Sequence, residues 1–198
     1  MSLYQEPPEA IVVEGVEYPV NTDFRTWISF QGILTGQAGT EEKAAQVYAL
    51  MERLGLPASE ASLEAMVAFF EGGTAERVGA GESRTPAFDF ERDSAHIYSA
   101  FLGAYGIDLT TARLHWWKFK ALFQALPDDC ELCKIMRYRT VDLKDVPKSQ
   151  KQFYRQMKAR YALPGAAGPA HRTEADMRGY VQRRFEDARK RQALGNLP

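Results

Sequence analysis

The stretch from Phe88 to Leu126 constrains the fold of this chain more than any other. Thr85-Pro86 brings the backbone in extended, because the residue before a proline avoids the helical region. Asp89 is then placed to cap a helix, and Glu91 and Asp93 suit its positive N-terminal end. Phe90, Ile97, Phe101 and Ala104 recur at helical spacing, and Gly106 is positioned as the left-handed residue that ends the helix. Thr110 predicts the cap of a second helix, with Leu109 and Leu114 spaced as its hydrophobic staple. At about 100° per residue, that second helix is apolar almost all round. Arg113, Lys120 and Gln124 share one narrow polar stripe, Trp117 lies beside it and His115 falls opposite. The spacing therefore predicts a core helix with one thin wet edge, on which Arg113, Trp117 and Lys120 are available to a partner.

Such a helix pair needs cover, and the preceding residues supply it. Ala10–Val13 and Val16–Val20, joined by Glu14-Gly15, read as a small hairpin with a tight turn. Asn21-Thr22-Asp23 offers a cap for a helix carrying Phe24, Trp27, Ile28, Gln31 and Leu34 on one face, which Gly36 to Gly39 breaks. Thr40 is the expected cap of the next, whose inward face is Ala44, Val47, Tyr48, Met51 and Leu54, and Gly55 ends it. Ser59 or Ser62 starts a third helix through Met66 and Phe69, and residues 72–84, with four glycines and no apolar period, read as a loop. After the central pair, a helix runs through Leu132, Ile135 and Tyr138. Another follows from Val146-Pro147 to about Tyr161 within a basic stretch. Leu163 to Ala170 is the clearest linker, and beyond it Met177, Tyr180, Val181 and Phe185 form a narrow apolar stripe among arginines and lysines. That last helix is too polar to hold a core of its own, so Tyr180, Val181 and Phe185 are predicted partner contacts. The resulting fold class is mainly α, an N-terminal hairpin packed on about seven helices. The predicted organisation is an arm over 1–9, a helical domain over 10–162, a linker over 163–171 and a basic amphipathic helix over 172–194.

A chain of 198 residues can support a sizeable core. It has no apolar run near the roughly 18 residues of a membrane span. The acidic N-terminus has no basic leader, which predicts a protein that begins in a cytoplasm. The net charge of −1 conceals a polarity: residues 1–100 carry 6 Lys+Arg and 16 Asp+Glu, residues 101–198 carry 19 and 10. An acidic front and a basic back can pair within the fold or head to tail between copies; they can equally be solvated faces.

Several residue groups invite a chemical reading, and each has a plainer one. Cys130 and Cys133 could be half of a zinc site or a redox pair. Zinc would need His96 and His115, and a redox pair would need a preceding strand that the sequence does not predict, so structural cysteines are expected. His96 with Asp93 could bind a metal from one helix face, but His115 reads as a core histidine satisfied by a hydrogen bond. Asp89, Glu91 and Asp93 could be catalytic carboxylates, or ordinary chemistry of a first helical turn. The basic back half mixes its charge with Asp and Glu and carries no nucleic-acid motif. Neither a P-loop, a dinucleotide glycine pattern nor a nucleophile elbow occurs. No catalytic residue, metal site or cofactor is assigned.

Val13 to Tyr18, Asn21 to Arg25, Phe88 to Glu91 with Asp93, Ile97-Tyr98 and Phe101, Tyr105 to Leu109, Leu114 to Phe119 and Tyr138-Arg139 carry a resemblance in their order and spacing. Over about residues 10–162 the chain resembles a family of tailed-phage proteins named for "gene product fifteen" of a siphophage. The cysteine pair and the last helix lie outside that pattern. The resemblance implies a protein encoded among tail genes, commonly just before the tape-measure gene. By that position it implies a non-enzymatic tail assembly chaperone in the host cytoplasm, with the tape-measure and tail-tube proteins as partners. The alternatives are a structural tail or connector component retained in the virion and, more remotely, a metal-dependent enzyme.

Overall fold

In a computed structural model, residues 5–72 and 86–164 are described. The helix expected over 172–194, with Tyr180, Val181 and Phe185, lies outside them. So do nearly all of the linker and of the glycine-rich loop. The described chain is mainly α, with seven helices and one two-stranded antiparallel hairpin at its N-terminal end. None of these helices is long and apolar enough to cross a membrane. The chain divides into two units, each with its own core.

The first unit comprises residues 5–72 together with His115–Trp117. Strands β1 (Ala10–Val13) and β2 (Val16–Pro19) pair with Val13 opposite Val16. Glu14 and Gly15 both take positive φ, the geometry of a two-residue turn matched to strand twist. Helix α1 (Phe24–Thr35) starts within the expected cap Asn21-Thr22-Asp23, where Asp23 accepts the Arg25 N–H. Helix α2 (Thr40–Arg53) begins one residue outside expectation: Gly39 is the cap and Thr40 is already helical, so no side chain caps it. Helix α3 (Glu60–Glu71) is capped by Ser59, whose hydroxyl takes the Ser62 N–H. Ile11 and Val13 on the inner face of β1 meet α3, and the core closes with Trp27, Phe30, Met51 and Met66. Each such fully buried side chain contributes roughly 1.5–3 kcal/mol of apolar burial.

The second unit holds residues 86–114 and 118–164. Helix α4 (Ser94–Tyr105) starts later than expected, because Asp89 spends its carboxylate on the Glu91 and Arg92 N–H groups of a preceding turn. Gly106 does end α4 in the left-handed region, its N–H returning to Leu102. The second central helix, α5 (Trp116–Gln124), departs most from expectation. Thr110 does not cap it; Asp108 instead gathers the Thr110 N–H and hydroxyl in a separate turn, and residues 112–114 run on without helix. From Lys118 onward α5 joins α4 around Phe88, Phe90, Phe101, Phe119 and Phe123, and α6 (Glu131–Thr140) packs on α4. Phe101 and Phe119 stack 5.0 Å apart, and the Tyr105 hydroxyl donates to the Leu122 carbonyl. Helix α7 (Lys151–Arg160) then packs along α6.

Candidate interaction surface

The wet edge expected from Arg113, Trp117 and Lys120 does not form on one helix. Arg113 is exposed and precedes α5 by three residues, so the stripe loses its first member. Lys120 is half-buried and engaged. Trp117 is more exposed than the buried Trp116, as the sequence suggests, yet its indole is committed. Its Nε1–H donates to the Phe69 carbonyl at 2.7 Å, and the Trp116 Nε1–H donates to the Phe70 carbonyl at 2.8 Å. Those carbonyls belong to the last turn of α3, where intrahelical donors run out and Phe69 shares its oxygen with the Gly72 N–H at 3.0 Å. Each indole also meets the ring of the phenylalanine it caps, Trp116 stacked on Phe70 at 5.0 Å and Trp117 tilted by 39° against Phe69 at 5.6 Å. The tandem tryptophans are therefore a cap for α3.

His115 holds that cap in register. Its backbone bridges to Asp23, and the next N–H, of Trp116, donates to Thr22 at 2.8 Å. The ring nitrogen Nδ1 accepts the Trp117 N–H, which leaves the proton on Nε2 to donate to the Pro8 carbonyl. Both nitrogens are satisfied as expected of a structural histidine, but from an extended segment and not from a core helix.

The carboxylates also turn out differently from a first-turn cluster. Asp93 and Arg139 form a buried bidentate pair at 2.6 and 2.9 Å, with side chains only 4% and 5% exposed. Asp93 also accepts the Asp89 N–H, and Arg139 reaches the Tyr161 and Ala87 carbonyls at 2.6 and 3.1 Å. One guanidinium thus ties α6 to the start of α4, to the segment before it and to the end of α7. Burial pushes the Asp93 carboxyl up, but the Arg139 and Asp89 hydrogen bonds and the Arg139 and His96 charges outweigh it and hold it below the usual range. Both oxygens are spoken for, so Asp93 does not pair with His96 as a ligand set. Sequence reading missed this pair, although Arg139 shares the buried face of α6 with Leu132 and Ile135.

Cys130 sits at the N-cap of α6, where its sulfur accepts the Cys133 N–H. Burial, then the bond with Cys130, pushes the Cys133 thiol up to about 11. Both cysteines are free, and among the described residues no three His, Cys, Asp or Glu side chains gather where an ion could bind.

Among the described residues, one group of aromatic and basic side chains gathers on α6 and α7. Tyr138 contacts Phe153, Tyr154 and Tyr161 at ring separations of 5.9, 5.9 and 6.0 Å. The Arg160 guanidinium lies over the Tyr161 ring, and Phe153 is 48% exposed. No residue of α7 is buried. A polar-aromatic surface edged by Arg155 and Arg160 results, suited to contact with another macromolecule.

Comparison with curated proteins and with solved structures finds no match. Over residues 5–163 the chain matches the family described as "Bacteriophage Gp15 protein", and it belongs to that family of phage proteins.

Proposed function

We propose that this phage protein is a non-enzymatic tail assembly factor, a chaperone that holds the tape-measure protein and recruits tail-tube subunits in the host cytoplasm. The observation that carries the reading is the family match over residues 5–163, joined to the tail-gene position that the resemblance implies. Two features of the described residues support it. The side chains with chemical potential are engaged in the fold: Asp93 with Arg139, His115 at both nitrogens, and Cys130 as a cap. The exposed aromatic and basic face of α7 offers a contact surface. Tyr180, Val181 and Phe185 are proposed as further contacts from the segment beyond the family match.

The test is light scattering behind size exclusion, on the full chain alone and after co-expression with the tape-measure and tail-tube proteins. A stable complex with several copies per tape measure is expected. A protein that ignores both neighbours refutes the reading. Its presence at stoichiometric levels in purified virions, by mass spectrometry, would replace it with a retained tail or connector component.

A further inference from the structure

Helix α7 poses a physical problem. It has ten residues, below the length at which an isolated helix is stable in water, and none of the ten is buried. On a wheel of about 100° per residue, its exposed positions fill one continuous arc: Arg155, Ala159, Gln152, Gln156, Arg160 and Phe153. The arc is basic and carries an exposed aromatic ring. From Val146 to Pro164 the chain holds five Lys/Arg and no Asp or Glu.

The hairpin is its chemical complement. From Gln5 to Val20 there are four glutamates and no Lys or Arg. On the outer face Val12, 60% exposed, stands opposite Glu17, and the tip presents Glu14 and Val16, the latter 54% exposed. The outer face thus sets a small apolar side chain, Val12, beside the acidic Glu17 and the tip residue Glu14, while on α7 a basic rim frames a larger apolar one. The chain's own residues beyond Pro164 are a poorer match for α7, since residues 165–198 carry seven Lys/Arg against four Asp/Glu and would add like charge.

We propose that the hairpin of one copy docks on the exposed arc of α7 of a second copy, through Val12, Glu14 and Glu17 against Phe153, Arg155 and Arg160. The contact is heterologous, so each copy keeps one unused face of each kind and association continues into a ring or a filament. It stands independently of the tail-assembly reading.

The test is sedimentation velocity of the full chain over a concentration series at low and high salt. Concentration-dependent association is expected, weakening about tenfold in affinity at high salt as exposed charges are screened. Two variants, Glu14→Lys with Glu17→Lys and Arg155→Glu with Arg160→Glu, alter only exposed side chains. Circular dichroism verifies that each remains folded. Each variant alone should associate at least about tenfold more weakly. An equimolar mixture should associate again, because each variant retains the face the other needs. A chain that stays monomeric throughout overturns the proposal. So does association that both variants leave intact, or a mixture that fails to recover it. Amide exchange gives a further check. Protection of α7 that depends neither on concentration nor on the hairpin charges would mean that its own chain covers it, which also overturns the proposal.

Discussion

Replacing Arg139 by Met should be among the most damaging single changes in the second unit, and its cost should depend on pH in a particular way. The substitution leaves Asp93 buried with one remaining donor, the Asp89 N–H, and strips a charged donor from the Ala87 and Tyr161 carbonyls. Removing one partner of a buried pair costs about 3–5 kcal/mol. A second route gives a consistent ceiling on the Asp93 part of that cost. The orphaned carboxylate can escape by taking up a proton, which at pH 7 costs about 4 kcal/mol for a group with an ordinary pKa of ~3.9. At pH 5 the same escape costs only about 1.5 kcal/mol. The penalty of Arg139→Met should therefore shrink by about 2–3 kcal/mol between pH 7 and pH 5.

The intact protein behaves oppositely. Asp93 is depressed in the fold, so its contribution is full above the ordinary carboxylate value and is lost only as pH falls through the lower folded value. Adding Asp93→Asn to Arg139→Met removes the orphaned charge and should recover part of the loss at pH 7. Arg139→Lys should recover little, because an ammonium cannot fork onto both oxygens and still reach two carbonyls. Urea unfolding followed by far-ultraviolet circular dichroism is the right assay, since all three tryptophans belong to the first unit. A penalty below about 1 kcal/mol that does not change with pH would refute the reasoning, because such values belong to solvated ion pairs.

Trp116→Phe keeps an aromatic ring on Phe70 but removes the donor to its carbonyl, and should lower stability by about 1–3 kcal/mol; Trp117→Phe, half-buried, should cost less, about 0.5–1.5 kcal/mol, both read from urea midpoints. With its pKa near 11, Cys133 is almost wholly a thiol at pH 8, so disulfide-exchange labelling should be slow there and should quicken about tenfold per pH unit toward that value. Cys130→Ser should preserve the cap of α6, whereas Cys130→Ala should cost about 1 kcal/mol in thermal or urea unfolding. Gly106→Ala meets no neighbouring atom, so its loss of about 1–2 kcal/mol should come from the left-handed backbone alone and should be matched by no change in core packing.

What could be read from the sequence divides by range. The hairpin, α1 and α3 were legible because their signals are local: a turn needing two positive φ values, an Asp and a Ser placed to meet the first free N–H groups, a glycine past a helix end. The start of α5 was not. Nothing between Leu109 and His115 forbids a helix, and the apolar spacing invites one. The alternative is set by Thr22 and Asp23, more than ninety positions away, which hold His115 and Trp116 through backbone pairing. The pairing of Arg139 was equally illegible, since its partner lies 46 residues upstream. The signal that could have separated it is a charged residue in step with Leu132 and Ile135 on an otherwise apolar face.

The all-round apolarity of α5 has the same origin. Trp116 and Trp117 bury against the end of α3 in the first unit, while Phe119 and Phe123 join the phenylalanine cluster of the second. A helix with one inward face shows one stripe at a period of 3.6 residues. One whose first turn serves a different core from its later turns shows no single stripe, and a wheel drawn through all of it finds apolar residues on every side. The polar positions left over then look like a deliberate edge. Here that edge was an artefact of averaging two local periodicities. A continuous exposed surface is found instead on α7, whose few apolar residues stand beside basic ones and whose exposed arc no described part of the chain conceals.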